Sequence, residues 1–175
     1  SVLNRKTADA LADFRERGGK TIYAVSPYVA DIEGDWSLSR QTDTSVTDML
    51  SSWGFSFTPS IAADISCARI TLSSSTDAQG VQTDTVHSQT MNYPLWISIM
   101  PQTNAPRGMT LYWLTPVVMD GENVHELLST SQSSWNIEED SSSPQKLFET
   151  NPFIVNKMKI PEHRMKQTAA ASDGN

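Results

Sequence analysis

Residues 26–36 read Ser-Pro-Tyr-Val-Ala-Asp-Ile-Glu-Gly-Asp-Trp, directly after a short apolar run. If that run is a strand, its carboxyl end is where open α/β sheets place their ligands. Ser26, Tyr28, Asp31 and Trp36 are therefore the candidate ligand-binding residues. Asp31, Glu33 and Asp35 alternate and could face a hard cation, but the glycine and terminal Glu of a calcium loop are absent. A solvated acidic loop is the plainer reading, and no metal is assigned. The three histidines, His87, His125 and His163, never fall at ligand spacing, so zinc has no local signature. Cys67 is the one cysteine, which excludes an internal disulfide and a cysteine-based metal site. Between Ser66 and Ala68 it reads as a small core residue.

Other chemistry is weaker still. Hydroxyls crowd residues 129–143, but no G-x-S-x-G elbow occurs. The Arg17-Gly18-Gly19 turn ends a helix and precedes a strand, the reverse of what phosphate binding at a helix N-terminus needs. Neither G-x-G-x-x-G nor G-x-x-x-x-G-K-[ST] is present. Trp96, Trp113 and Trp135 could line a sugar or peptide groove. The first two lie inside strand-like runs, where core packing is the simpler role. No catalytic residue and no cofactor are assigned.

The elements that would hold these residues follow from periodicity. Leu3, Thr7, Ala10, Leu11 and Phe14 recur at helical spacing, and Gly18 or Gly19 stops the helix. Residues 21–27, apolar without alternation, predict a strand buried on both faces. Val46, Met49, Leu50 and Trp53 mark a second helix with Thr44 as N-cap and Gly54 beyond its end. Residues 55–59 (FSFTP) alternate as a short strand ending at Pro59. Helix, strand, helix and strand over 1–59 predict an α/β fold: a partial Rossmann-like (flavodoxin- or amidotransferase-like) three-layer unit. Residues 60–155 form its β-rich continuation, with a hairpin turn at Gly80 and further strands at 92–102 and 107–122. Residues 122–131 fit a helical turn or an extended segment. Residues 133–145 are poor in apolar side chains and are expected to be exposed. Residues 156–175, basic and then low in complexity, are expected to fray.

Composition bounds the partners. A formal charge of −7 on 175 residues argues against nucleic acid and against an anionic lipid surface. No run approaches the length of a membrane span, and residues 1–20 lack a signal-peptide pattern. The chain reads as a soluble piece of something larger.

Five landmarks in order resemble the GldG-type auxiliary components of ABC transporters. They are ADALADFRERGGKTIYAVSPY, VTDMLSSWGFSF, NYPLWISI, MTLYWLTPVV and VHELLSTSQSSWNIEE. In that family the strand after the Arg-Gly-Gly turn usually ends in Asp-Pro, where this chain has Ser26-Pro27. The resemblance implies a non-enzymatic interaction domain of a membrane-anchored subunit, on the periplasmic side of a bacterial inner membrane. It implies ABC permease and ATPase subunits as partners, and in some bacteria a link to gliding motility. The alternative is a small-ligand or glycan-binding module that uses the crevice after Tyr28. A hydrolase would rest on fold analogy alone. A half-sheet with an open edge would also favour a homodimer.

Overall fold

The computed structural model describes residues 5–76, 82–99, 108–120, 124–143 and 146–173. Helix α1 (Arg5–Glu16) forms where the apolar spacing places it. Gly18 ends it at φ 80°. The Gly19 N–H donates to the Phe14 carbonyl and the Gly18 N–H to the Arg15 carbonyl, both at 2.9 Å. This paired closure needs a residue that tolerates the left-handed conformation, which glycine does at little cost.

The chain then departs from expectation. Residues 21–27 form no strand, and Ile22 is 98% exposed. β-Branched composition favours a pleated surface only when neighbouring strands supply one, and among the described residues no strand pairs with this segment. The first paired residues are β1 (Tyr28–Ala30), which forms an antiparallel hairpin with β2 (Leu38–Arg40).

Helix α2 (Ser45–Ser52) buries Leu50 and is followed by Gly54 at φ 89°. Thr44 takes the N-cap position, but its hydroxyl donates to the Asp48 carboxylate and caps no backbone N–H. Strand β3 (Phe55–Phe57) pairs with β8 (Val117–Met119). There the Asp120 N–H donates to the Gly54 carbonyl at 2.9 Å. A Cβ on Gly54 would stand 2.2 Å from the Asp120 carbonyl oxygen. Gly54→Ala should therefore cost about 2 kcal/mol or more, from the left-handed backbone and the displaced carbonyl together. Chemical denaturation of the variant checks this; an unchanged midpoint would contradict it.

Strand β4 (Ser60–Asp64) is buried at every position. Ile61 and Ala63 join the larger apolar core with Tyr93, Leu95 and Trp135, while Ala62 joins a smaller one with Ile97 and Ile99. Strand side chains alternate between faces, so a strand between two cores has no polar face to show. Strand β10 (Ser134–Glu138) pairs antiparallel with β4. Strands β5 (Cys67–Thr76), β6 (Gln82–Ile99) and β7 (Met109–Tyr112) make a three-stranded antiparallel sheet. The Gly80 turn lies outside the described residues. Strand β9 (His125–Ser129) is extended, one of the two forms expected for that stretch, and pairs with β11 (Thr168–Ser172). Helix α3 (Pro152–Val155) starts at Asn151, whose Oδ1 accepts the Phe153 N–H at 3.0 Å.

Every described strand pairing is antiparallel. A doubly wound sheet needs parallel strands joined by crossover helices, so the Rossmann-like α/β expectation is overturned. The fold is a β-rich assembly of small antiparallel sheets with three described helices.

Two more expectations change. Residues 133–145 are not simply surface, because Ser134 and Trp135 are buried on β10. One strand face suffices to bury a tryptophan in a segment of low average hydrophobicity. The C-terminal segment does not fray at 168–172, since β9 supplies a partner strand. Ala169 packs on the smaller core, and Arg15 on α1 forms an ion pair with Asp173.

Candidate functional site

The four residues singled out from sequence all lie at the β1–β2 hairpin, but they serve different surroundings. The Ser26 hydroxyl accepts the Tyr28 N–H at 3.1 Å. Asp31 shapes the turn: its Oδ1 accepts the Gly34 N–H at 3.0 Å, and its carbonyl accepts the Trp36 N–H at 3.0 Å. Asp35 takes the Ser37 N–H at 3.0 Å, and hydrogen bonds from Ser37 hold its carboxyl below the usual range. Tyr28 and Trp36 pack on the same apolar core but meet different aromatic partners.

Trp36 enters an aromatic cluster. It stacks on Trp96 with centroids 5.3 Å apart and planes at 25°. Trp113 meets Trp36 edge-on at 6.1 Å, and Tyr112 meets Trp96 edge-on at 4.9 Å. Tyr93 lies beneath, 5.5 Å from Trp96. Its hydroxyl donates to the Thr150 carbonyl at 2.6 Å and accepts the Trp113 Nε1–H at 3.3 Å. Burial pushes the Tyr93 phenol up to about 12.

The sequence placed Trp96 and Trp113 in strands without showing how Tyr93 and Trp96 could meet. Between Cys67, opposite Ile97, and Ala68, opposite Tyr93, the register jumps and leaves Pro94, Leu95 and Trp96 as a bulge. Proline supplies no ladder N–H, and bulges redirect side chains. Pro94 inside an apolar run was the available signal.

Trp36 and Trp113 both sit at positive φ, 63° and 46°. That conformation costs a bulky residue on the order of 1–3 kcal/mol and tends to mark functional sites. Tyr112 at the cluster's rim is 58% exposed. The cluster thus combines a buried base, two strained tryptophans and an accessible phenol.

Tyr28 has other partners on the same core. Its ring meets Phe148 edge-on at 4.9 Å, and its hydroxyl donates to Glu139 at 3.0 Å. Arg40 donates to the same carboxylate through Nε at 3.0 Å and Nη2 at 2.8 Å. Burial, then the Glu139 hydrogen bond, holds the Tyr28 phenol far above its ordinary value. Beside this triad lies a crevice of about 150 Å³ lined by Tyr28, Arg40, Gln41, Thr44, Thr47 and Phe57. Arg40 and Glu139 are 99 residues apart, so sequence spacing offered no sign of the pair.

A third polar cluster is buried. Asp64 accepts the Ser66 N–H at 2.8 Å, the Ser131 hydroxyl at 2.7 Å and the Ser131 N–H at 2.7 Å. Ser134 Oγ lies 2.6 Å from Thr130 Oγ1 and donates to the Met165 carbonyl at 2.6 Å. These hydroxyls tie the residue 130–134 turn to β4 and to the C-terminal segment. The spacing S-x-x-K occurs at Ser143 to Lys146, where the Lys146 ammonium donates to Glu149 at 2.7 Å. His125 and His163 are exposed and stand apart from these clusters. Among the described residues no group of His, Cys, Asp or Glu could hold a metal ion, and no helix is long and apolar enough to cross a membrane.

What this architecture defines is a β-rich module whose distinctive surfaces are an aromatic cluster and a small ion-paired crevice. The particular lineage is shown by comparison: the chain belongs to the family described as ABC-type uncharacterized transport system, whose family model matches residues 1–166. Membership makes it an auxiliary component of an ABC-type transport system. Among curated proteins and among solved structures, none matches the chain.

Proposed function

We propose that the chain is a non-enzymatic, extracytoplasmic interaction domain of a membrane-anchored, GldG-type subunit that binds the permease or ATPase components of an ABC transporter. The family match over residues 1–166 carries this reading. The ordered landmarks from the Arg-Gly-Gly helix end to Ser-Trp in β10 support the narrower GldG type and, in some bacteria, a gliding-motility role. Binding rather than catalysis is supported by how the polar side chains are used. Asp64 with Ser131, and Glu139 with Arg40 and Tyr28, join distant segments of the chain. Affinity purification of the full-length protein from detergent-solubilised membranes should recover permease or ATPase subunits. An alkaline phosphatase fusion to this region should be active. Recovery of neither subunit would sink the partner assignment, and an inactive fusion would sink the location.

The second reading is glycan binding. The crevice beside Tyr28 is smaller than the ~300–1,000 Å³ of ordinary small-molecule sites. The aromatic cluster on the same hairpin favours this reading, because aromatic faces offer an apolar platform with a polar rim. Titration with soluble oligosaccharides should quench or shift tryptophan fluorescence; a flat titration would remove this alternative.

A further inference from the structure

We propose that β5 is a self-association edge, across which two copies of the chain pair antiparallel about a two-fold axis centred on Leu72. Strand β5 pairs with β6 on one side, and among the described residues no strand pairs with its other side. An edge of 10 residues is long for an open one. Edge strands that stay solitary carry guards such as lysine, proline or inward charges. The sequence Cys-Ala-Arg-Ile-Thr-Leu-Ser-Ser-Ser-Thr has no proline and no charge beyond Arg69. On a chain of formal charge −7, this nearly neutral edge is where a second copy meets least repulsion.

The residues themselves suit a second copy. Arg69, Thr71 and Ser73 are exposed on one face, while Ile70 is buried and Leu72 half-buried on the other. Opposite β6, the exposed face forms a hydroxyl ladder, with Thr71 and Thr90 oxygens 2.8 Å apart and Ser73 and Ser88 oxygens 3.0 Å apart. A two-fold at Leu72 sets Thr71 opposite Ser73 of the second copy, repeating that chemistry outward. It sets the two Leu72 side chains beside each other, covering the half-exposed one. It also places each Arg69 opposite Ser75, so the two cations stay apart. Such an interface is isologous and closes at two copies, joining two three-stranded sheets into one of six strands. This proposal is independent of the transport role.

Sedimentation and hydrogen exchange of the unmodified chain test it first. The chain should sediment as a dimer at about 100 μM, the concentration chosen to populate even a weak pair. Alternate β5 amides should lose at least tenfold in protection on dilution to monomer. A monomer at that concentration, or a dimer whose β5 amides exchange freely, overturns the proposal. Two double variants then test the register. Thr71→Lys with Ser73→Lys opposes like charges across the axis and should weaken the dimer at least tenfold. Thr71→Lys with Ser73→Glu opposes unlike charges and should retain it. Equal dimerisation of two folded variants, judged by near-UV circular dichroism, overturns the Leu72-centred pairing.

Discussion

Replacing Asp64 with alanine should remove on the order of 4 kcal/mol of folding stability, a large share of the roughly 5–15 kcal/mol that domains ordinarily have. The carboxylate is fully buried and accepts three hydrogen bonds, two of them from backbone N–H groups of Ser66 and Ser131. Alanine leaves those donors in a water-poor place with no acceptor, and an orphaned buried donor costs roughly 1–3 kcal/mol. The turn at 131–134 would then loosen. With it would go the Ser134 bond to the Met165 carbonyl, and the C-terminal segment would lose part of its anchorage. Asp64→Asn keeps the shape and one acceptor oxygen but presents an amide N–H₂ to a donor, so about half the loss is expected. Urea denaturation of both variants measures the effect, and hydrogen exchange at β11 reads its spread. A change below about 1 kcal/mol for Asp64→Ala would show that water replaces the carboxylate at little cost.

The second large effect belongs to Tyr93. Its side chain is fully buried where β6, α3 and the aromatic cluster meet, and Tyr93→Ala should cost about 3–5 kcal/mol. Trp36 and Trp96 would lose the ring they rest on, so the near-UV dichroism of the tryptophans should collapse with it. Tyr93→Phe isolates the hydroxyl. It removes the bond to the Thr150 carbonyl and should cost about 1 kcal/mol at neutral pH.

The same variant carries a pH signature. Burial disfavours the phenolate and pushes the folded phenol up to about 12, above the ordinary tyrosine value of about 10. Below pH 10 both folded and unfolded states hold the proton. Above it, the unfolded chain releases a proton that the folded chain retains, so stability falls as pH rises. The loss from this group runs from about pH 10 to about 12 and then levels. Tyr28 shifts in the same direction, so Tyr93→Phe should reduce the alkaline slope without abolishing it. An identical slope in wild type and variant would remove Tyr93 from the account.

Much of the local structure was legible in the sequence. Helix α2 and the left-handed Gly18 and Gly54 follow from spacing and glycine placement, because a helix end is decided within a few residues. Residues 60–155 were legible as β-rich, although the lone acid of the IAAD run gave no hint of which donors it would meet. Tyr28 and Trp36 were expected beside a crevice at a strand end, and the structure sets both at the β1–β2 hairpin. Which neighbours each would meet depended on segments brought in from elsewhere in the chain, since both pack on one core.

By itself, then, the sequence determined where helices stop, which residues lack metal-ligand spacing, and which family landmarks recur in order. Tertiary structure alone decided that residues 21–27 form no strand, because β-pairing depends on what lies alongside and not on propensity. It decided the antiparallel sheets, the Arg40–Glu139 pair and the bulge that brings Trp96 over Tyr93. The Arg40–Glu139 pair and the β3–β8, β4–β10 and β9–β11 pairings join segments far apart in the chain, fixed by which surfaces can be buried together. Local periodicity carries no information about that choice.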